Sequence, residues 1–189
     1  VSLLRNSSSS LPVMVKTVQI LGKGRGASVP FPPHAERWGI NDLIYMRYNG
    51  KFEDWTRWFD LHRADRIVSR RPQAWEWYKQ QSKPIYLLEP DPDIQASTAY
   101  PKAEILDYFG TKRFGSTFDW MMALAIMENF KRIEICWCRM LQQVEYQKQV
   151  PTANYWIGQA EARGAKVFIH GDSALQPNPL LYGYEITFG

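Results

Sequence analysis

Residues 17–28 read TVQILGKGRGAS, a short apolar run that breaks into a loop with glycine at alternate positions. The run over 18–21 predicts the first strand of an open α/β sheet, and nucleotides usually bind in the loops that follow such strands. Glycine lacks a Cβ, so successive N–H groups of the loop can converge on a phosphate. We predict nucleotide contacts by four residues of this loop: Gly22, Gly24, Gly26 and Ser28. A glycine turn without a ligand stays open as an alternative, because the prolines at 30, 32 and 33 exclude a dinucleotide-binding fingerprint.

Length and composition limit the class of protein. A chain of 189 residues can form one well-buried core, so we predict a single domain over residues 17–189 behind a flexible arm over 1–16. The net charge is +4, and no apolar run approaches the roughly 20 residues of a membrane span. Cys136 and Cys138 stand two apart in a segment that reads as extended. We expect them to face the same way as buried, unbridged thiols, which favours a reducing compartment and a cytoplasmic location.

Strand patterns alternate with helix patterns along the chain. Strands are predicted over 18–21, 38–40, 57–61, 84–88, 133–138 and 166–169, the last as a buried strand. Helices are predicted over 74–81, 103–108 and 118–130, and a further helix begins at Thr152 or Ala153 and ends at Gly164. Ser116 and Asp119 have the spacing of a capping box before the third helix. This alternation predicts an α/β fold: a single-domain, open, mostly parallel Rossmann-like sheet with helices on both faces.

Polar residues follow several of the predicted strands, where such sheets bind ligands. Asn41 and Asp42 could bind a ribose or a base, although an Asx turn explains the pair equally well. Asp60 and His62 share a face if their strand continues, and the carboxylate would then orient the imidazole for acid–base catalysis. His170 is a second candidate for this catalytic role. An ordinary polar role at a strand end is the alternative for both histidines.

The step 115–117 before the third helix is a second candidate anion site. Free N–H groups and the helix dipole favour negative charge there, so we predict ligand contacts by Ser116 and Thr117. Asp119 could cap the same amides and leave a plain helix start. The acidic loop EPDPD at 89–93 is a possible binding site for Mg²⁺. The sequence requires no metal, since no second cysteine or histidine pair stands at ligand spacing, and the cofactor is left unknown.

The motifs VQILGKGRGAS, GINDL and GSTFDWMMALAIMENFKRIEICWC occur in an order that resembles bacterial sialyltransferases and the related Rossmann-like proteins near 6-hydroxymethylpterin pyrophosphokinases. Over residues 17–140 the resemblance implies nucleotide contacts by Gly22, Gly24, Ser28, Asn41, Ser116 and Thr117. It also implies a Gly-x-Asp step after the late strand. This chain has WCRM at 137–140 instead, so the implied carboxylate is missing. Residues 145–175, followed by LYGYE, resemble small proteins of tailed phages and prophages.

Two functions follow from these observations. The first is binding of a nucleotide or nucleotide-sugar, with transfer of a group from it. The second is a non-catalytic phage protein, a virion component or a module that binds a host protein or nucleic acid; the missing carboxylate, eight tryptophans and the basic stretch 57–71 favour it. Neither function involves a membrane. The exposure of four tryptophans discriminates between these two functions: Trp55, Trp58, Trp75 and Trp77. Their burial would remove the main support for a docking surface.

Overall fold

A parallel sheet forms the centre of the computed structural model, which describes residues 15–26, 29–141, 144–177, 180–181 and 184–185. Within these residues the strands are β1 (Thr17–Leu21), β2 (Glu36–Ile40), β3 (Arg57–Asp60), β4 (Ile85–Leu87), β5 (Ser97–Ala99), β6 (Arg132–Cys136) and β7 (Lys166–His170). Their order is β5-β4-β3-β2-β1-β6-β7, and each neighbouring pair is parallel. The predicted Rossmann-like α/β class is confirmed. The predicted arm over 1–16 lies almost entirely outside the described residues.

Helices pack on both faces of this sheet. They are α1 (Leu43–Tyr48), α2 (Ala64–Arg70), α3 (Pro72–Lys79), α4 (Lys102–Phe109), α5 (Thr117–Met127) and α6 (Val144–Ala162). One hydrophobic cluster joins the sheet to α4, α5 and α6, and a second joins it to α1, α2 and α3. Consecutive residues of β1 contribute to both clusters, Ile20 to the first and Leu21 to the second. This follows from the alternation of side chains along a strand, and it places a buried apolar residue of β1 on each face of the sheet.

The start of α5 is set by the predicted capping box. The Asp119 N–H donates to Oγ of Ser116 over 3.4 Å, and Oδ2 of Asp119 accepts from the Ser116 N–H over 3.1 Å. The helix is apolar nearly all round and ends at Met127, three residues before the predicted end. Because α5 packs against both β3 and α6, this cap fixes the helix start that faces the carboxyl edge of the sheet.

We expect Ser116→Ala to lower the free energy of unfolding by about 1 kcal/mol, because the N–H of Asp119 loses its acceptor. Urea denaturation followed by circular dichroism measures the change. Ser69→Ala is the matched control, since the hydroxyl of Ser69 is exposed and donates only to the carbonyl of Arg66; we expect a change within about 0.5 kcal/mol. Equal effects of the two substitutions would contradict the capping role.

Several predicted bounds are wrong. The last helix begins at Val144 and continues through Pro151, so its start lies well before the predicted Thr152 or Ala153. The strand β7 is half-exposed rather than buried, because it is the edge strand of the sheet. β6 ends at Cys136, where Trp137 takes a φ of 57°. As a result Cys136 and Cys138 belong to different hydrophobic clusters and do not face the same way, although both are buried, free thiols as predicted.

Candidate functional site

The carboxyl ends of β1, β2, β3 and β6 meet at one edge of the sheet. The chain proceeds from β1 to β5 on one side and returns to β6 on the other side of β1, and this reversal opens a crevice between the loops. Two adjoining cavities of about 410 and 400 Å³ lie at this edge, within the size range of small-molecule sites. They share four lining residues: Ile40, Asn41, Phe118 and Met140. We call them the glycine-loop cavity, lined by Gly22, Lys23, Gly24 and Arg25, and the His62 cavity, lined by His62, Arg66, Ser116 and Thr117.

A carboxylate–imidazole pair borders the His62 cavity. Nδ1 of His62 lies 2.6 Å from Oδ1 of Asp60, as the spacing of the two residues predicted. Because a carboxylate only accepts hydrogen bonds, Nδ1 carries the ring proton, and Nε2 of the neutral ring is a proton acceptor. Asp60 is completely buried, whereas His62 is half-exposed. The pair therefore has the arrangement of an oriented general base.

Two further side chains hold Asp60 in place. The guanidinium of Arg71 lies 3.1 Å from Oδ2 and 3.2 Å from Oδ1, and the Tyr78 hydroxyl donates to Oδ2 over 2.9 Å. Burial, and secondly the neighbouring Asp60 charge, raise the pKa of the Tyr78 hydroxyl well above its ordinary value. Tyr78 is thus a neutral donor, and Arg71 supplies the charge that balances Asp60. Sequence reasoning missed both residues, because nothing in the sequence links α3 to the end of β3.

Asn41 connects this pair to the start of α5. Its φ is 49°, and its carbonyl accepts from Nε1 of Trp58 over 2.8 Å and lies 3.0 Å from the Tyr78 hydroxyl oxygen. Oδ1 of Asn41 accepts from Oγ1 of Thr117 over 3.4 Å. Asn41 therefore lies where both cavities meet. Asp42 lines neither cavity, and its Oδ1 forms an ion pair of 2.5 Å with Lys23 and lies 3.8 Å from Arg71.

The amides at the start of α5 are used within the protein. Oδ2 of Asp119 accepts from the N–H groups of Gly115 and Ser116 over 2.6 and 3.1 Å. Burial raises the pKa of Asp119 above its ordinary value. Ser116 and Thr117 nevertheless line the His62 cavity. Ligand contacts by Ser116 and Thr117 stay a prediction.

The glycine loop packs against the loop that follows β6. The N–H of Gly22 donates to the carbonyl of Cys136 over 2.7 Å, and the N–H of Gly24 donates to that of Trp137 over 2.9 Å. A Cβ on Gly22 would lie 2.6 Å from the Cα of Cys138, so close backbone approach explains this glycine without a ligand. Lys23 and Arg25 line the glycine-loop cavity and supply positive charge from side chains. Ser28 lies outside the described residues. Nucleotide binding by Gly22, Gly24 and Gly26 stays a prediction.

We expect Gly22→Ala to lower the free energy of unfolding by about 2 kcal/mol, because the new methyl group meets backbone atoms that cannot rotate away. Gly158→Ala is the control. Gly158 lies in α6, and a Cβ added there would have no atom within 4 Å, so we expect a gain of about 0.5–1 kcal/mol from helix propensity. Chemical denaturation of both variants measures the difference, and a neutral Gly22→Ala would contradict the close approach.

His170 does not join Asp60 and His62. It lies at the end of β7, four strand spacings from β3, which is about 19 Å across the sheet. There it lies beside Glu134 and Cys136 of β6. Burial, with the neighbouring Glu134 charge, raises the pKa of Cys136 to about 12. No local pattern predicts this cluster, because its members combine only through strand pairing.

No protein-family model matches the chain, and neither the curated proteins nor the solved structures include one with significant similarity. The resemblance to bacterial sialyltransferases and to phage proteins therefore stays an expectation. Within the described part of the chain, none of the helices has the length and apolar character needed to cross a bilayer.

Proposed function

We propose that the protein binds a nucleotide or nucleotide-sugar at the carboxyl edge of the sheet and transfers a group from it, with His62 as the acid–base residue. The observation that supports this proposal is the Asp60-oriented imidazole beside a cavity of about 400 Å³ that Asn41, Ser116 and Thr117 also line. A carboxamide and two hydroxyls can hydrogen-bond a ribose and phosphate oxygens. The position at the reversal of strand order is where open α/β sheets bind nucleotides.

Positive side chains favour an anionic ligand. Lys23, Arg25 and Arg139 line the glycine-loop cavity, and Arg66 lines the His62 cavity. Lys23 and Arg139 are paired with Asp42 and Asp172. Arg25 and Arg66 form no ion pair with the other described residues. Their guanidinium groups can therefore bind phosphate without first breaking an internal contact.

The transfer step uses His62 as a base. A hydroxyl of the acceptor gives its proton to Nε2 as its oxygen bonds to the transferred group. The bond from that group to the nucleotide phosphate breaks, and its electron pair stays on the departing phosphate oxygen. The buried Asp60 carboxylate stabilises the imidazolium that forms. Proton transfer of this kind contributes about 10²–10⁴ in rate.

The alternative of a non-catalytic docking protein loses its main support. Trp55, Trp58, Trp75 and Trp77 are at most 7% exposed, so they form core rather than an interface. Two arginines of the basic stretch 57–71 also form ion pairs within the protein. Arg57 pairs with Glu36 and Glu128, and Arg71 pairs with Asp60.

Calorimetric titration with CMP, UDP, ADP and their sugar conjugates tests the proposed binding. We expect at least one of these ligands to bind, and Arg66→Ala to weaken it about tenfold through loss of a charged phosphate contact. Lys79→Ala is the control: Lys79 pairs with Glu76 on the surface of α3, away from the cavities, and its loss should leave affinity unchanged. No binding at millimolar concentration, or equal effects of the two variants, would overturn the proposal.

Catalysis is tested separately with the ligand that binds. We expect His62→Gln to retain binding and to lower the turnover of transfer by about 10²-fold or more, since glutamine fills the space but accepts no proton. A turnover equal to that of the unchanged protein would exclude His62 as the base, and would leave binding without this mechanism.

A further inference from the structure

Three side chains that bind metals converge on one face of the sheet, and none of them lines either cavity. Parallel pairing places Cys136 of β6 beside His170 of β7, and Glu134 lies two residues before Cys136. Paired residues and residues two apart share a face of a sheet, so all three side chains lie together. A carboxylate oxygen, the thiol sulfur and an imidazole nitrogen lie within 4.8 Å of one another.

The imidazole leaves a nitrogen without a partner inside this cluster. Glu134 and Cys136 are buried, and His170 is half-exposed at the edge strand. Nε2 of His170 is itself buried, lies 3.8 Å from Oε2 of Glu134, and has no hydrogen-bond partner among the described residues. A buried polar atom without a hydrogen-bond partner destabilises the fold. A metal ion bound to this nitrogen would remove that destabilisation.

Neighbouring side chains fix the carboxylate of Glu134. Its Oε2 accepts from Nε2 of Gln19 over 2.8 Å, and its Oε1 accepts from Nε of Arg132 over 2.7 Å. Gln19 is held in turn by Arg37, whose Nε donates to Oε1 of Gln19 over 2.9 Å. Outer hydrogen bonds of this kind orient the ligands of metal sites.

We propose that Glu134, Cys136 and His170 form a binding site for a divalent transition-metal ion such as Zn²⁺. Oxygen, sulfur and nitrogen donors together match the ligands of zinc, and three protein ligands leave a fourth position for water. In a tetrahedral zinc site the donors lie about 3.3–3.8 Å apart. Rotation of the half-exposed His170 side chain can close the remaining distance.

On binding, the Cys136 thiol loses its proton to solvent as sulfur bonds to the metal. The thiolate and the Glu134 carboxylate each bring one negative charge to the ion, and the carboxylate keeps its ion pair with Arg132. No oxidant or reductant is consumed. None of the three proposed metal ligands lines the His62 cavity. A negative result for metal binding would therefore not contradict the proposed nucleotide binding.

Titration of the metal-free, reduced protein with Co²⁺ tests the site, because a cobalt–thiolate bond gives a charge-transfer absorption band. We expect the band to saturate at one ion per chain and to disappear when Zn²⁺ displaces Co²⁺. Absence of the band at saturating Co²⁺ would overturn the proposal, since Cys136 would then not be a ligand.

Variants locate the ion. We expect His170→Gln, at the exposed side of the site, to fold and to weaken Co²⁺ binding at least about tenfold. Cys136→Ser should abolish the charge-transfer band. His62→Gln is the matched histidine control and should bind Co²⁺ as the unchanged protein does. Equal affinity in His170→Gln and the unchanged protein would place the ion elsewhere and overturn the proposal, even if Cys136→Ser fails to fold.

Discussion

Replacement of Asp60 by alanine is expected to lower the free energy of unfolding by about 3–5 kcal/mol. Asp60 is completely buried, and its two oxygens accept from Tyr78 and Arg71 while Oδ1 also contacts His62. Alanine removes the negative charge but leaves the Arg71 guanidinium, which is only 16% exposed, without its main partner. The cost is therefore that of an unbalanced buried charge, which exceeds the net value of the pair itself.

Urea denaturation measures this loss. Asp65→Ala is the matched control, because Asp65 is an exposed carboxylate that pairs with Arg63 on the surface, and such pairs contribute little. Both substitutions remove an aspartate that lies beside an arginine. The two losses in free energy of unfolding should therefore differ mainly because Asp60 is buried and Asp65 is exposed. Similar effects of Asp60→Ala and Asp65→Ala would contradict the role given to Arg71. Asp60→Asn should also reduce turnover, because the amide no longer stabilises the imidazolium of His62.

The sequence predicted those elements whose burial produces a long or regular apolar pattern. β1 and β6 carry buried apolar residues at alternate positions, and α5 is apolar nearly all round, because each of them packs into the core. The elements it missed are short or exposed: α1 and α2 contain six and seven residues, and β5 contains three. Such segments form through contacts with the rest of the fold, which local patterns do not record. β7 was predicted as buried because its apolar residues would form the same sequence pattern in an edge strand and in an inner strand.

The site was predictable only where a local rule applies. The spacing of Asp60 and His62 on one strand face predicted their contact, and the capping rule predicted the bond between Ser116 and Asp119. Arg71 reaches Asp60 because α3 folds back over β3, and His170 reaches Cys136 because β6 pairs with β7. These contacts depend on topology. The glycine loop was interpreted from its phosphate-binding potential, but the structure shows a packing requirement set by the distant loop after β6.

The destabilising effects of Gly39→Ala and Trp58→Ala should be less than additive, because the two residues pack against each other in neighbouring strands. Trp58 of β3 packs across Gly39 of β2, and a Cβ on Gly39 would lie 2.2 Å from the six-membered ring of Trp58. Nε1 of Trp58 also donates to the carbonyl of Asn41, so the same side chain supports the candidate site. We expect Trp58→Ala to lower the free energy of unfolding by about 3–5 kcal/mol through the cavity that it leaves. Gly39→Ala alone should cost about 2–3 kcal/mol by overpacking.

In the Trp58→Ala background, however, the methyl group of Gly39→Ala enters the space that the indole has left. We therefore expect Gly39→Ala to cost under about 1 kcal/mol there, a coupling of about 2 kcal/mol between the two positions. Denaturation of the four proteins of this double-mutant cycle, at a temperature where all are folded, measures the coupling. Gly158→Ala in place of Gly39→Ala is the control and should be additive with Trp58→Ala, because nothing lies within 4 Å of its Cβ position. Additive effects of Gly39→Ala and Trp58→Ala would show that the indole does not determine glycine at position 39, and that the cost of Gly39→Ala comes from the strand backbone instead.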